Sequence, residues 1–372
     1  MENVFTKYQK RINPTQQNLE LWSLTIDQGL VAKTKRYDRS FLVRKNDIFN
    51  LVPKGYFVYN PMNITLGTID VNKYHSIAVS GYYIVLKSND QFNVAFLASL
   101  LHTSSMINKY KRFSTGSLLE KQRLQFPNFA KVKIISPRLS EQTKIGLLMN
   151  QVNNLIDLQQ RKLKQLKQLK KAMLQQLLAN QSFPKVRFND FKDSWKDYRL
   201  GEVFDEFSVK SKKENEYKLL SSTTSGMESR SGRVSGHSNI GYKVIDNGDI
   251  VLSPQNLWLG NINLNNMGKG IVSPSYHTFK IVNANPIFVN FQLKTKKMLF
   301  EYKMVSVQGA SVVRRNLDMD AFKKIVIKIP NEKEQIKIAS LFSSISNIIN
   351  NHQNKLTQLT TLKKYLLQKL FI

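Results

Sequence analysis

Pro137-Arg-Leu-Ser-Glu141-Gln142-Thr-Lys144-Ile145 opens a long helical pattern that runs to Leu177, and Pro330-Asn-Glu-Lys-Glu334-Gln335-Ile-Lys337-Ile338 opens another that runs to Leu370. The two stretches keep one register, 193 residues apart. Between 141–177 and 334–370, 18 of 37 positions are identical, including Leu163/Leu356, Leu166/Leu359, Lys170/Lys363, Leu174/Leu367 and Leu177/Leu370. Chance does not give such a match, so the chain is a tandem duplication. A length of 372 residues agrees, being too long for one ordinary core and long enough for two.

Each copy ends in a rod. Apolar residues at Leu148, Val152, Leu155, Leu163, Leu166, Met173 and Leu177 follow the three- and four-residue spacing of a helix that packs on another helix. Leu341, Ile345, Ile348, His352, Leu356, Leu359, Leu366 and Leu370 do the same. In this phase the spacing runs four and four through Gln159, and again through His352, which predicts a stutter that relaxes the supercoil. About 38 residues at ~1.5 Å each give a rod of roughly 57 Å whose apolar seam needs a partner. The nearest partner is the other rod. Antiparallel pairing would send the two preceding domains to opposite ends of a pseudo-twofold object. Gln159 and His352 are the midpoints of the two stretches, so such pairing would set them face to face as a polar pair fixing register.

The segment before each rod reads as mixed α/β (α+β). Phe41-Leu-Val, Ile64-Thr-Leu, Ile77-Ala-Val, Tyr82-Tyr-Ile-Val-Leu86 and Val132-Lys-Ile-Ile135 are strand-like runs, and Phe92 to Tyr110 has helical spacing. The second half keeps the order with other residues. Asn60-Pro61-Met62-Asn63 and Leu66-Gly67 are matched by Ser253-Pro254-Gln255-Asn256 and Leu259-Gly260. Glycine, proline and apolar positions persist while the polar filling changes, so two copies of one scaffold present two different surfaces. Boundaries follow at 1–136 for the first domain, 137–180 for its rod, 181–329 for a linker and the second domain, and 330–372 for the last rod. The linker's Phe and Trp side chains are expected to dock.

Composition narrows the partner. Lys and Arg number 56 against 26 Asp and Glu, a net charge of +30, which makes nucleic acid the first partner to consider and an anionic membrane the second. Cysteine is absent, which removes disulfides, thiolate zinc sites and a cysteine nucleophile, and suits a cytoplasmic protein. No run approaches the roughly 18 uncharged apolar residues of a membrane span. Nothing implies a cofactor or a catalytic centre. Gly268-Lys-Gly270 lacks the first glycine and the hydroxyl of a phosphate loop, and Asn60-Pro61-Met62-Asn63 lacks the second proline and the aromatic that would stack on a flipped base, so it reads as a turn. The five histidines are scattered without metal-ligand spacing.

Positive charge gathers with hydrogen-bonding side chains at loop positions, the inventory that phosphate contact and base reading need. The candidates for DNA binding are Lys33, Lys35, Arg36, Arg39, Arg44, Arg112, Ser114, Thr115, Lys121 and Arg123 in the first half. In the second they are Lys210, Lys212, Arg230, Arg233, Gln308, Ser311, Arg314 and Arg315. The Lys-rich rod face, Lys162, Lys164, Lys167, Lys170 and Lys171, is expected to be exposed.

Two variable domains, each closed by P-x-x-x-E-Q-x-x-I and a long Leu/Lys/Gln helix, resemble the DNA specificity subunit of a type I restriction-modification system. The resemblance rests on Pro137/Glu141/Gln142/Ile145, on Pro330/Glu334/Gln335/Ile338 and on the Phe188…Trp195…Leu200-Gly201 opening, and covers essentially the whole chain. It implies that each variable domain is a target recognition domain reading one half of a split DNA sequence, with the paired helices spacing the halves. It also implies two methyltransferase subunits docked on the helices, joined by restriction subunits, with no catalysis by this chain. The competing reading is a basic coiled-coil scaffold without sequence-specific DNA binding. One departure stands out: the second half opens with Trp195 to Gly201, whereas in the first Val4-Phe5 already aligns with Val203-Phe204.

Overall fold

A computed structural model describes residues 1–372 except 15, 27, 34–47, 117–121, 179, 231–237, 309–313 and 372. The chain forms two compact units, Met1–Gln160 with Asn354–Ile372, and Arg161–Gln353, so each rod is shared between them.

In the first unit an antiparallel sheet has the order Phe5–Tyr8, Ile84–Ser88, Phe57–Tyr59, Ile69–Val71. Helices Val94–Leu100, Ser104–Phe113 and Phe126–Ala130 back it. A second sheet has the order Arg11–Ile12, Phe49–Val52, Ile77–Ser80, Leu21–Thr25, Gly29–Ala32, parallel only where Leu21 and Trp22 meet Ala78 and Val79. Strand periodicity explains the layering. Phe57, Tyr59, Ile84 and Leu86 enter the helix-side core, while Val58 and Val85 join Val52, Ile77 and Val79 between the sheets. A strand covered on both faces reads as an unbroken apolar run, as Phe57-Val-Tyr59 and Ile84-Val-Leu86 do.

The second unit repeats this plan. Its helix-backed sheet runs Phe204–Phe207, His277–Ile281, Ile250–Leu252, Ile262–Leu264, and its second sheet Met227–Ser229, Lys218–Ser222, Gly270–Val272, Lys243–Ile245. Ile250 and Leu252 again face the helices and Val251 the second sheet. Helices Pro286–Gln292, Lys296–Met304 and Met319–Lys324 complete it.

Several sequence expectations change. The helix expected from Phe92 to Tyr110 is two helices, because Thr103 caps a new start, its hydroxyl accepting Met106 N–H at 3.3 Å. Thr295 caps the counterpart, and in both copies a buried tyrosine ties the pair: Tyr110 Oη donates to the Leu101 carbonyl at 3.1 Å and Tyr302 Oη to that of Leu293 at 3.2 Å. Ile64–Leu66 is a 3-10 turn, not a strand, closed by Gly67 at φ 87°, and Leu257–Leu259 is its twin, closed by Gly260 at φ 88°. The strand expected at Tyr82 begins at Ile84, and that at Phe41 lies outside the described residues. Val132–Ile135 is not a strand. Its counterpart, Val326–Ile329, is one because linker strand Lys196–Arg199 pairs with it. Among the described residues no such strand lies beside 132–135, where Ile135 is 83% exposed. Met1 takes the place of Leu200, its amino group donating to the carbonyls of Ala130 and Val132.

The rods are helices Leu139–Leu177 and Glu332–Lys369. Among their covered positions a continuous seam takes Ile145, Met149, Val152, Ile156, Gln159, Leu163, Leu166, Lys170, Met173 and Leu177, matched by Ile338, Phe342, Ile345, Ile349, His352, Leu356, Leu359, Lys363, Leu366 and Leu370. This is an uninterrupted alternation of four and three, so the expected stutter is absent. Leu155, 45% exposed, and Ile348, 44% exposed, lie outside the seam, as does Leu148. Gln159 is 7% exposed and so belongs to the covered side. In the first unit the start of the first rod shares a core with the end of the second, through Ile145, Met149, Leu366, Leu370 and Phe371. In the second unit Met173, Leu174 and Leu177 share one with Ile338, Ala339 and Phe342. The pairing is thus antiparallel. Lys170 departs from the expected exposed face: its Nζ donates to Ser346 Oγ at 2.7 Å and lies 5.3 Å from the Phe291 ring, and burial pushes its pKa below the usual lysine range.

Candidate nucleic-acid interface

The repeated motif builds the base of each domain rather than its reading surface. Gln142 Oε1 accepts the N–H of Asn93 at 2.9 Å and its Nε2 donates to the Pro137 carbonyl at 2.9 Å. Gln335 does the same with Asn285 N–H at 2.7 Å and Pro330 O at 2.9 Å. Asn93 and Asn285 cap the helices at Val94 and Pro286, so the glutamine locks each rod to the domain before it. Glu334 has a role that Glu141 lacks. Arg187 of the linker grips it with two bonds, Nε to Oε1 at 2.8 Å and Nη2 to Oε2 at 2.7 Å, with the carboxylate fully buried. Glu141 is exposed and has no ion pair among the described residues. Linker aromatics dock in part: Trp195 is 3% exposed and edge-on to Phe288, while Phe183 is 63% exposed.

The candidate readers fall into two groups per unit. In the first unit, Arg112 lies in the last turn of helix Ser104–Phe113, Ser114 caps its end, and Thr115 pairs with Arg123, the two exchanging backbone bonds at 2.9 and 2.8 Å. The matching hairpin of the second unit pairs Ser306–Gln308 with Arg315–Leu317. Gln308 and Arg314 are exposed there. Arg315 is spent on the hairpin itself. Its Nε and Nη2 donate to the Ser306 carbonyl at 3.2 and 2.9 Å, its N–H to Gln255 O at 3.1 Å, and its guanidinium lies 5.8 Å from the Trp258 ring. Gln255 and Trp258 belong to the Pro254–Gly260 turn, so that turn carries the hairpin.

The other group lies on the second sheet of each unit. Lys33 follows strand Gly29–Ala32, with Nζ 5.7 Å from the Phe49 ring. Lys210, Lys212 and Arg230 are exposed; Lys210 bridges to Lys243, and the backbone of Lys212 donates to Glu216 at 2.6 Å. Lys35, Arg36, Arg39, Arg44, Lys121, Arg233 and Ser311 lie outside the described residues. No cluster of metal-ligating side chains occurs among the described residues, nor is any helix long and apolar enough to cross a membrane.

Sequence reasoning missed Arg187, Asp70, Asn263 and Lys294. Asp70 and Asn263 stand at the same position of the repeat, and each ties the helix-backed sheet to a hairpin of the second sheet. Burial lowers the pKa of Lys294 to about 8. Only the 193-residue register, applied to polar positions, could have singled out the 70/263 pair.

A duplicated α/β domain whose basic hairpins differ between copies, each packed on antiparallel helix segments, defines the class: a nucleic-acid specificity protein with two unlike reading domains. The comparisons identify the family. The model for the type I restriction modification DNA specificity domain matches residues 17–168 and again 192–361, and the chain belongs to that family. No curated protein matches it. Among solved structures, it is similar to the type I restriction-modification system S subunit from M. genitalium, with a TM-score of 0.65 at 14% identity over 100% of this chain and 94% of that one. A structure described as the basis of complex assembly and conformational transition of the type I R-M system gives a TM-score of 0.50 at 14% identity, over 99% of this chain and 97% of that one. As a specificity subunit, the chain selects DNA and does not itself catalyse.

Proposed function

We propose that each domain reads one half of a split target in double-stranded DNA, that the paired rods fix the unread gap, and that two methyltransferase subunits dock on the helices, with restriction subunits joining through them. The observation that carries this reading is the contrast between a four-stranded, helix-backed sheet repeated in the same order in both units and basic and polar loop residues that differ between the two copies. A scaffold under no demand to read two sequences has no use for that contrast. Arg112, Ser114, Thr115 and Arg123 serve one head, and Gln308, Arg314 and Arg230 the other.

Selection from a pool of random duplexes by the purified chain with its methyltransferase partner tests the reading. The expected product is two short motifs at constant separation, and a single continuous motif refutes it. Affinity should fall with salt at a slope of about −0.9 per phosphate contacted. Arg314→Ala should relax base preference in one half only, and equal relaxation in both would overturn the assignment of one head to each half.

A further inference from the structure

The two heads share a hairpin whose turn is closed by the same threonine but tied to the domain by opposite chemistry. In the first unit Thr25 Oγ1 donates to the Gly29 carbonyl at 3.2 Å and accepts Gln28 N–H at 3.2 Å. In the second, Thr223 Oγ1 donates to the Gly226 carbonyl at 3.1 Å and accepts Ser225 N–H at 3.1 Å. Behind each turn stands one residue of the helix-backed sheet, at equivalent positions in strands Ile69–Val71 and Ile262–Leu264. Asp70 accepts: its Oδ2 takes the N–H of Leu30 at 2.9 Å. It presses so close that a Cβ on Gly29, at φ +64°, would lie 2.2 Å from that oxygen. Asn263 donates: its Nδ2 reaches the Thr223 carbonyl at 2.7 Å and Ser222 Oγ at 2.7 Å.

The donor is itself held. Lys294 Nζ donates to Asn263 Oδ1 at 2.7 Å and to the Gly260 carbonyl at 2.8 Å. Gly260 closes the turn that carries the Arg314–Arg315 hairpin, so this one ammonium links both candidate reading elements of the second head. Asn261 adds a bond to the Ser222 carbonyl at 3.0 Å. In the first unit these places are filled by His102, for Lys294, and Thr68, for Asn261, since Leu101 and Leu293 precede them at the matched end of one helix, and His102 lies within electrostatic reach of Asp70. The same places are therefore used in both heads with different chemistry, an ammonium bound to an amide in one and an imidazole within reach of a carboxylate in the other. A carboxylate that accepts from the strand after the turn, and an amide that donates to the strand before it, hold the two hairpins by different strands.

We propose that Asp70 and Asn263 are positioning residues for base recognition, each setting the placement of its hairpin against DNA through the strand it holds, at Leu30 in one head and at Thr223 in the other, and that the acceptor-to-donor exchange between them helps the two heads read different bases. This rests on the split-target reading above. The test repeats the random-duplex selection with Asp70→Ala, Asp70→Asn, Asn263→Ala and Asn263→Asp in the full chain with its methyltransferase partner, with thermal unfolding of each variant measured alongside. Losing one buried tie should reduce base discrimination about tenfold. Asp70→Ala should do so in one half of the motif and Asn263→Ala and Asn263→Asp in the other. Asp70→Asn keeps an acceptor and should retain the motif; Asn263→Asp gives Lys294 a carboxylate partner but takes the donor from Thr223. An unchanged motif in Asp70→Ala and Asn263→Asp overturns the proposal, as does loss spread over both halves. Loss of the fold in these variants also counts against it, since the tie would then support the domain rather than the turn. If the unaltered chain selects no split motif, the functional reading fails and takes this inference with it. A split motif that the variants leave intact removes the inference alone.

Discussion

Glu141 and Glu334 occupy the same place in the repeated motif, yet Glu→Gln should be nearly silent at one and severe at the other. The Glu334 carboxylate is fully buried and Arg187 is 11% exposed, with bonds of 2.8 and 2.7 Å between them. Removing one partner of a buried ion pair costs about 3–5 kcal/mol, because the remaining charge stays out of water. Glutamine keeps one acceptor oxygen, which places Glu334→Gln near the lower end, about 3 kcal/mol. In a unit of this size each kcal/mol moves Tm by about 2–4 °C, so the expected loss is about 6–12 °C. Glu141 is exposed and without an ion pair among the described residues, and its replacement should stay within about 0.5 kcal/mol, or 1–2 °C. Scanning calorimetry of the full chain and the two single variants reads the difference directly. Replacing both Arg187 and Glu334 by well-packed apolar residues should recover much of the loss, since the pair's desolvation cost disappears with it. Equal shifts at Glu141 and Glu334, or a Glu334→Gln shift below about 2 °C, would refute the view that the linker arginine makes the distinction.

The motif glutamines should behave alike where the glutamates do not: Gln142→Ala and Gln335→Ala each strip two hydrogen bonds from the start of a rod and should each cost about 1–3 kcal/mol, measured by urea unfolding. A silent Gln142→Ala would mean that the rod is not locked through that side chain. Lys294 predicts a pH dependence. Burial lowers its pKa from 10.5 to about 8, so the folded state releases this proton before the unfolded chain does. The penalty for holding the charge is complete below about pH 8 and is relieved as pH rises toward 10.5, so stability relative to Lys294→Met should climb across that window. A flat difference between wild type and variant from pH 7 to about 10.5 would show that the ammonium is not held out of water. Gly29→Ala should disrupt the first hairpin, because the added methyl meets Asp70 Oδ2; pairing it with Asp70→Gly should restore part of the lost stability in thermal unfolding.

What the sequence shows plainly is whatever the duplication preserves. Gly67 and Gly260, and Gln142 and Gln335, do the same work twice, and the 193-residue register recovers them without knowledge of their contacts, whereas the caps Thr103 and Thr295 lie one residue off that register. The seam of the rods was harder to place, for a local reason. Leu148-Met149, Leu155-Ile156 and Ile348-Ile349 each offer two adjacent apolar residues, and apolarity alone cannot choose between them. The covered set takes the second of each, which turns an apparent stutter into an unbroken heptad. Strand Lys196–Arg199 and Arg187 mark the opposite limit. Of the residues they contact, Glu334 has an identical counterpart in Glu141 whose surroundings differ greatly, while Val326–Ile329 shares only Ile327 with its counterpart Lys133–Ser136. A side chain's chemistry is written at its own position. Whether that chemistry is buried and paired is decided by a segment elsewhere in the chain, and among the described residues that segment packs on one copy alone, so the same glutamate is a structural anchor in one copy and a solvated charge in the other.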